Sequence, residues 1–235
     1  MTTSGVITYQ PSTLQVIEAA FNVLGVAQEG EALTPRMYQD GLRGLNQLIQ
    51  GMSAEPHLWT YEEGTLAMVA NTPSYVVSPR ALRITDCRYH NLTSGIDVPM
   101  AMMSRQEYFD QPTKTTSPGL PVNFYFDPKV STGTLYLWPC PSTATATQYE
   151  IRYTYVRFLE IQTASNETLD FPSQWIEAVT WNLARKLITQ YPVNDPNLMQ
   201  IVMGTAKETM DHLKAWDNEP ASLFMQPCYE GSVQP

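Results

Sequence analysis

LDFPSQWIEAVTWNLARKLITQY, residues 169–191, is the strongest helix signal in the chain, and the fold is read outward from it. Pro172 suits a first helical turn, where a missing N–H costs nothing. Asp170 just before it is a candidate cap whose charge fits the positive helix end. Ile176, Val179, Leu183 and Leu187 recur at spacings of three and four, so they share one face. Arg185 and Lys186 sit near the end that favours cations, and Tyr191-Pro192 stops the helix. A helix this apolar on one side needs partners.

Three further segments offer them. Ser12 and Gln15 have capping-box spacing, and Leu14, Ile17, Phe21 and Leu24 follow as an apolar stripe, which predicts a helix over 12–28. Thr34-Pro35 opens a second helix, with Tyr38, Leu42, Leu45, Ile49 and Met52 as its stripe. After the central helix, Asp195-Pro196 starts another. Its stripe of Met199, Val202, Met203, Ala206, Met210 and Leu213 runs to about Trp216.

Between the helix pairs the texture changes. Short apolar runs separated by Pro, Gly, Asn and Ser predict strands near 58–61, 65–69, 74–77, 81–90, 97–102, 122–126, 134–138 and 148–158. The last is the clearest, because Tyr149, Ile151, Tyr153 and Tyr155 alternate with polar residues. Ser104 with Glu107 predicts a short capped helix between strands. The expected architecture is α+β. Helix pairs from 1–55 and 170–217 form a four-helix bundle, 56–169 is an inserted antiparallel β domain, and 218–235 is an extended tail. Leu223, Phe224, Met225 and Tyr229 are large apolar groups for a solvated tail, so it packs back or docks on a neighbour.

Composition narrows the function. A chain of 235 residues with 43% hydrophobic content buries a sizeable core. Only 16% of residues are charged, against about 25% for a typical soluble domain; with 13 Tyr, 5 Trp and 11 Met this points equally to surface hidden in an assembly and to an aromatic-rich β domain. A net charge of −9 disfavours extensive binding to phosphates, yet suits a wall past which DNA slides without sticking. Arg80, Arg83 and Arg88 form the densest basic cluster. They are candidate DNA-proximal residues if repeated around a ring, and ordinary strand-surface charges otherwise. Three scattered cysteines without C-x-x-C read as reduced thiols in a cytoplasmic setting, and the N-terminal residues do not read as a signal peptide. No run is apolar enough for a membrane helix.

The chemistry-bearing motifs are absent: no H-E-x-x-H, G-x-S-x-G, phosphate-binding loop or calcium loop. Asp86, Cys87 and His90 lack the second ligand pair a closed zinc site needs, so neither a metal nor a cofactor is expected. Glu62, Glu63, Glu107, Asp110 and Asp127 are available for a glycosidase pair, but among many acids such a pair arises by chance.

Six phrases in order carry a resemblance: ALTPRMYQDGLRGLNQLIQGMSAEPHLW, GTLAMVANTPSYVVSP, GLPVNFYFDP, TLYLWPCPS, YEIRYTYVRFLE and LDFPSQWIEAVTWNLARKLITQYPV. The arrangement resembles the head-to-tail adaptor (connector) proteins of tailed bacteriophages, particularly short-tailed ones. The resemblance covers most of residues 12–217. It implies a non-enzymatic virion protein, made in the host cytoplasm. A dodecameric ring below the portal protein would extend the DNA channel and offer other tail proteins a platform. It also implies that the C-terminal segment reaches the portal, with no membrane involved. The alternatives are a carbohydrate-binding or tail-tip module, which needs Trp59, Trp138 and tyrosines in one exposed groove, and a cell-wall hydrolase, which needs a carboxylate pair in a cleft.

Overall fold

The computed structural model describes residues 5, 7–27, 31–115 and 118–218. Six α-helices, eight strands and two short 3₁₀ turns occur among them. The helices are α1 (Thr13–Val23), α2 (Pro35–Met52), α3 (Arg105–Asp110), α4 (Thr143–Gln148), α5 (Ile176–Leu187) and α6 (Pro196–Trp216). The strands are β1 (Tyr61–Ala67), β2 (Ser74–Val77), β3 (Ala81–Asn91), β4 (Asp97–Pro99), β5 (Ala101–Met102), β6 (Asn123–Pro128), β7 (Gly133–Trp138) and β8 (Tyr149–Arg157).

Helix α5 is the hub. Its Val179, Leu183 and Leu187 are fully buried. α5 packs against α1, α2 and α6, while α1 also packs against α2. Gly44 of α2 lets the two backbones approach, because a Cβ there would stand 3.2 Å from Leu183. Another face of α5 meets α6, where buried Asn182 donates from Nδ2 to the carbonyls of Ala178 and Ala206, each at 2.9 Å. One apolar cluster draws residues from α1, α2, α5 and α6, among them Phe21, Leu45, Leu183 and Val202. The helices therefore share a core with α5 at its centre.

The stretch between β8 and α5 laces the two ends of the chain together. Gln162, almost fully buried, is held by Asn46 through two bonds of 2.8 Å and by the Thr13 hydroxyl at 2.9 Å. Thr13 N–H donates to the Glu167 carbonyl at 2.7 Å, and Leu14 N–H to that of Ser165 at 3.0 Å. Buried polar groups need such partners, so the sequence-distant segments are held in one arrangement.

The strands form two four-stranded sheets, ordered β1-β8-β3-β4 and β2-β7-β6-β5. All pairings are antiparallel except β5 with β6. A second core joins both sheets through Val77, Ile84, Phe124, Leu135, Ile151 and Tyr153. The alternation on β8 buries Ile151, Tyr153 and Tyr155, as its period of two predicts.

Several expected boundaries move. The α1 helix stops at Val23, with Gly25 at φ +66 just beyond it, a conformation that glycine adopts without strain. Residues 58–60 form a 3₁₀ turn, and the first strand begins at Tyr61. The segment 97–102 is two strands in different sheets. Met100 N–H pairs with Cys87 of one sheet, and Ala101 N–H with Val122 beside the other, because burying the Met100 side chain turns the chain inward. A short helix, α4, appears where none was expected, capped by the Ser142 hydroxyl. The central helix starts later than Pro172: a 3₁₀ turn over Ser173–Trp175 precedes Ile176. Asp170 does not cap it, because Arg157 engages that carboxylate. On α6 only Val202, Ala206 and Leu213 are buried, so Met199 and Met203 face outward.

Candidate functional site

The residues that suggested chemistry are dispersed. Cys87 points into the β core, where burial pushes its thiol up to about 12, while Asp86 is exposed. His90 Nδ1 lies 2.7 Å from Asp97 on the neighbouring strand. Among the described residues no group of three His, Cys, Asp or Glu is placed to hold a metal ion. Cys87 and Cys140 are both free and buried.

The carboxylates are taken up by neighbours. Glu63 pairs with Arg88, and Glu62 accepts from the Tyr155 hydroxyl at 2.8 Å and lies 3.1 Å from Arg157. Glu107 closes the capping box of α3, and the bonds from Ser104 hold its carboxyl below the usual range. Asp127 sits 3.8 Å from both Arg105 and Lys129. Asp110 is exposed at the end of α3. The aromatics expected for a sugar groove are also split. Trp59 packs on Trp175 and Phe171 against the helical core, whereas Trp138 ends β7 and donates to the Thr113 carbonyl at 3.2 Å.

The three arginines proposed to lie near DNA differ in setting. Arg80 stacks 4.2 Å over Phe158, Arg83 is exposed on β3, and Arg88 is drawn to Glu63. Arg83 lies opposite Val156 and Arg88 opposite Arg152. Four residues of strand separate those positions, about 13 Å. Leu223, Phe224, Met225 and Tyr229 lie outside the described residues.

Two polar arrangements went unseen in the sequence. The first joins the β sheets to the helices. Arg157, at the end of β8, forks onto Asp170, with Nη2 to Oδ1 at 2.8 Å, and also reaches Glu62. Asp170 accepts the Glu160 N–H at 3.2 Å as well. The Asp170 hydrogen bond is the main reason the guanidinium holds its proton above the ordinary range. These groups line an open cleft of about 630 Å³ with Arg80, Phe158 and Gln50. Burial and the bond to Glu62 push the Tyr155 hydroxyl up to about 12.

The second arrangement fastens the end of α6. The Asp217 side chain is 5% exposed, and its carboxylate meets His57 Nδ1 at 2.9 Å and Leu58 N–H at 3.1 Å. The imidazole packs against the rings of Trp59 and Trp175, at 5.7 and 4.7 Å, and those two rings also touch each other. Lys214, one turn earlier, reaches Glu55 at 2.6 Å. The end of α6 is therefore an anchored point. His57 and Asp217 are 160 residues apart, and no local pattern links them.

The outer surface carries exposed apolar groups. Ile201 is 56% exposed and Trp216 67% exposed on α6, and Phe109 is 50% exposed on α3. No helix is long and apolar enough to cross a membrane among the described residues.

No curated protein matches the chain. Solved structures that are similar include a chain in the virion of a native gene transfer agent particle. It has 13% identity, 86% of this chain and 92% of that one covered, and a TM-score of 0.31. A chain in the neck of an empty gene transfer agent particle has 12% identity, with 85% and 92% covered and a TM-score of 0.29. The profile of the SU10 adaptor protein family matches residues 12–221. A match from the capping box of α1 past the anchored end of α6 takes in both cores, and the protein belongs to the SU10 adaptor protein family.

Proposed function

We propose that the protein is the head-to-tail adaptor of a bacteriophage virion. Copies form a ring, dodecameric as the resemblance implies, below the portal protein. The ring extends the DNA channel and carries the attachment platform for the tail. The family match over residues 12–221 is the observation that supports this reading. The low charged fraction and the exposed apolar residues on α3 and α6 suit a subunit whose sides are covered by neighbours.

The role is structural rather than catalytic. DNA passes through without sequence-specific contacts, and a net charge of −9 per copy favours a surface that does not hold it. Arg80, Arg83 and Arg88 act at most as scattered phosphate contacts. Leu223, Phe224, Met225 and Tyr229 lie in the segment that reaches the portal. The helical ends and the inserted β segment are the two working parts, one for the ring and one for the tail. The protein is made in the host cytoplasm and ends at the head-to-tail junction.

Mixing the purified chain with portal rings and imaging the product by electron microscopy tests this. A ring of adaptor density beneath the portal is expected. Portals that stay bare at micromolar adaptor would overturn the proposal.

A further inference from the structure

Two faces of the helical part carry opposite charge and lie on different sides of α5. Leu183 and Leu187 meet α2, and Ala178 and Asn182 border α6. Those two pairs are about 140° apart around α5, at 100° per residue. Helices α2 and α6 thus flank the hub rather than sharing one side.

The outward stripe of α2 is basic. Arg36, Gln39, Arg43, Gln47 and Gln50 recur at spacings of three and four and are all exposed. The Arg36 and Arg43 side chains are 91% and 63% exposed. Both stand loosely, at 3.9 and 3.6 Å, from Asp40. That carboxylate is 17% exposed and already accepts the Tyr191 hydroxyl at 3.0 Å. Exposed pairs this long contribute little, so both guanidinium groups remain available.

The outward stripe of α6 is acidic and notched. Asn197, Ile201, Gly204, Glu208 and Asp211 follow one another along the helix, all exposed. Glu177 joins Glu208 at the groove where α6 meets α5. Lys207 lies at the flank of the stripe by helical position, and Lys214 is engaged by Glu55. At Gly204 an added Cβ would meet nothing within 4 Å. Glycine within a helix costs about 1 kcal/mol relative to alanine, and no packing among the described residues uses the space. Beside it Ile201 is left half-exposed, in a shallow groove with Gln200 and Thr205.

We infer that the acidic, notched face of α6 docks on the basic face of α2 of a second copy of this chain. The inference rests on the ring reading above and names its lateral contact. Each face carries mainly one sign of charge, so a face meeting its own copy is repelled. Pairing therefore runs head to tail, the heterologous kind that closes into a ring when the rotation allows. Arg36 and Arg43 lie against Glu208 and Asp211, Gly204 admits the close approach of the neighbouring helix, and Ile201 is covered. The glutamines of α2 both donate and accept, which suits the Asn197 and Gln200 amides.

The test uses two full-length variants. In the first, Glu208 and Asp211 are both replaced by Arg; in the second, Arg36 and Arg43 are both replaced by Glu. Circular dichroism melts should match the wild type, since these side chains are exposed. Each variant alone should lose ring formation on portal rings, read by electron microscopy and sedimentation. An equimolar mixture should restore it, because every contact in an alternating ring is again between opposite signs. Wild-type rings that tolerate either variant would overturn this surface and leave the adaptor reading standing. Variants that stay inactive when mixed would also overturn it. A wild-type chain that never associates, with or without portal, would overturn both.

Discussion

At Arg157 one guanidinium serves the sheet and the helices together, so its loss is felt on both sides. Arg157→Met leaves Asp170 and Glu62 without their cation, at a cost of about 2–3 kcal/mol, read as a fall in the urea midpoint. Gly64 tests packing on the same face of the sheet, one pair further along from Glu62. A Cβ there would stand 2.4 Å from the Tyr153 ring, so Gly64→Ala forces that buried ring to move and destabilises by about 1–3 kcal/mol. An unchanged thermal midpoint would show that Tyr153 has room to shift. The tyrosines set the alkaline limit. Tyr155 holds its proton to about 12 against an ordinary 10.0, first through burial and then through its bond to Glu62. The folded state binds that proton more tightly than the unfolded chain. Its contribution is complete below about pH 10 and is lost as pH climbs towards 12. Tyr75, Tyr108, Tyr125, Tyr153 and Tyr191 are shifted in the same direction. Stability should fall steeply above pH 10, and Tyr155→Phe should make that slope shallower in chemical denaturation at fixed pH steps.

Among the elements, α6 depends most on its ends. It buries only Val202, Ala206 and Leu213 along 21 residues, so its apolar hold is thin. Asp195 caps its start through the Asn197 N–H at 2.8 Å, and Asp217 ties its end to His57. Asp217→Ala removes the acceptor for both the imidazole and the Leu58 N–H in a buried setting. The expected result is faster amide exchange over the last two turns of α6, with the β core unaffected. Equal exchange in both proteins would mean that Leu213 and the Lys214–Glu55 pair hold the end unaided. The α5–α6 contact is more secure, because Asn182 bonds the Ala206 carbonyl from within the core.

For the molecule as a whole, the two cores separate stability from attachment. Among the described residues both cores are built from residues up to Leu213, and Asp217 is anchored on His57. Deleting residues 219–235 should leave the melting temperature within about 2 °C, a shift worth less than 1 kcal/mol for a chain this size. Binding to portal rings should weaken at least tenfold by sedimentation. Unchanged binding would refute a docking role for Leu223, Phe224, Met225 and Tyr229.

Local rules in the sequence determined the capped helix starts at Ser12, Thr34, Ser104 and Asp195, and the alternation of β8. These hold because a cap or a period is satisfied within a few residues of itself. The α+β order and the pairing of early with late helices followed from stripes that needed cover. Tertiary structure alone decided that Asp170 serves Arg157 rather than the helix behind it. It decided that 97–102 is divided between two sheets, that Met199 and Met203 face outward, and that His57 meets Asp217. Each of those outcomes depends on how separate segments pack against one another in space, and chain spacing carries no record of that packing.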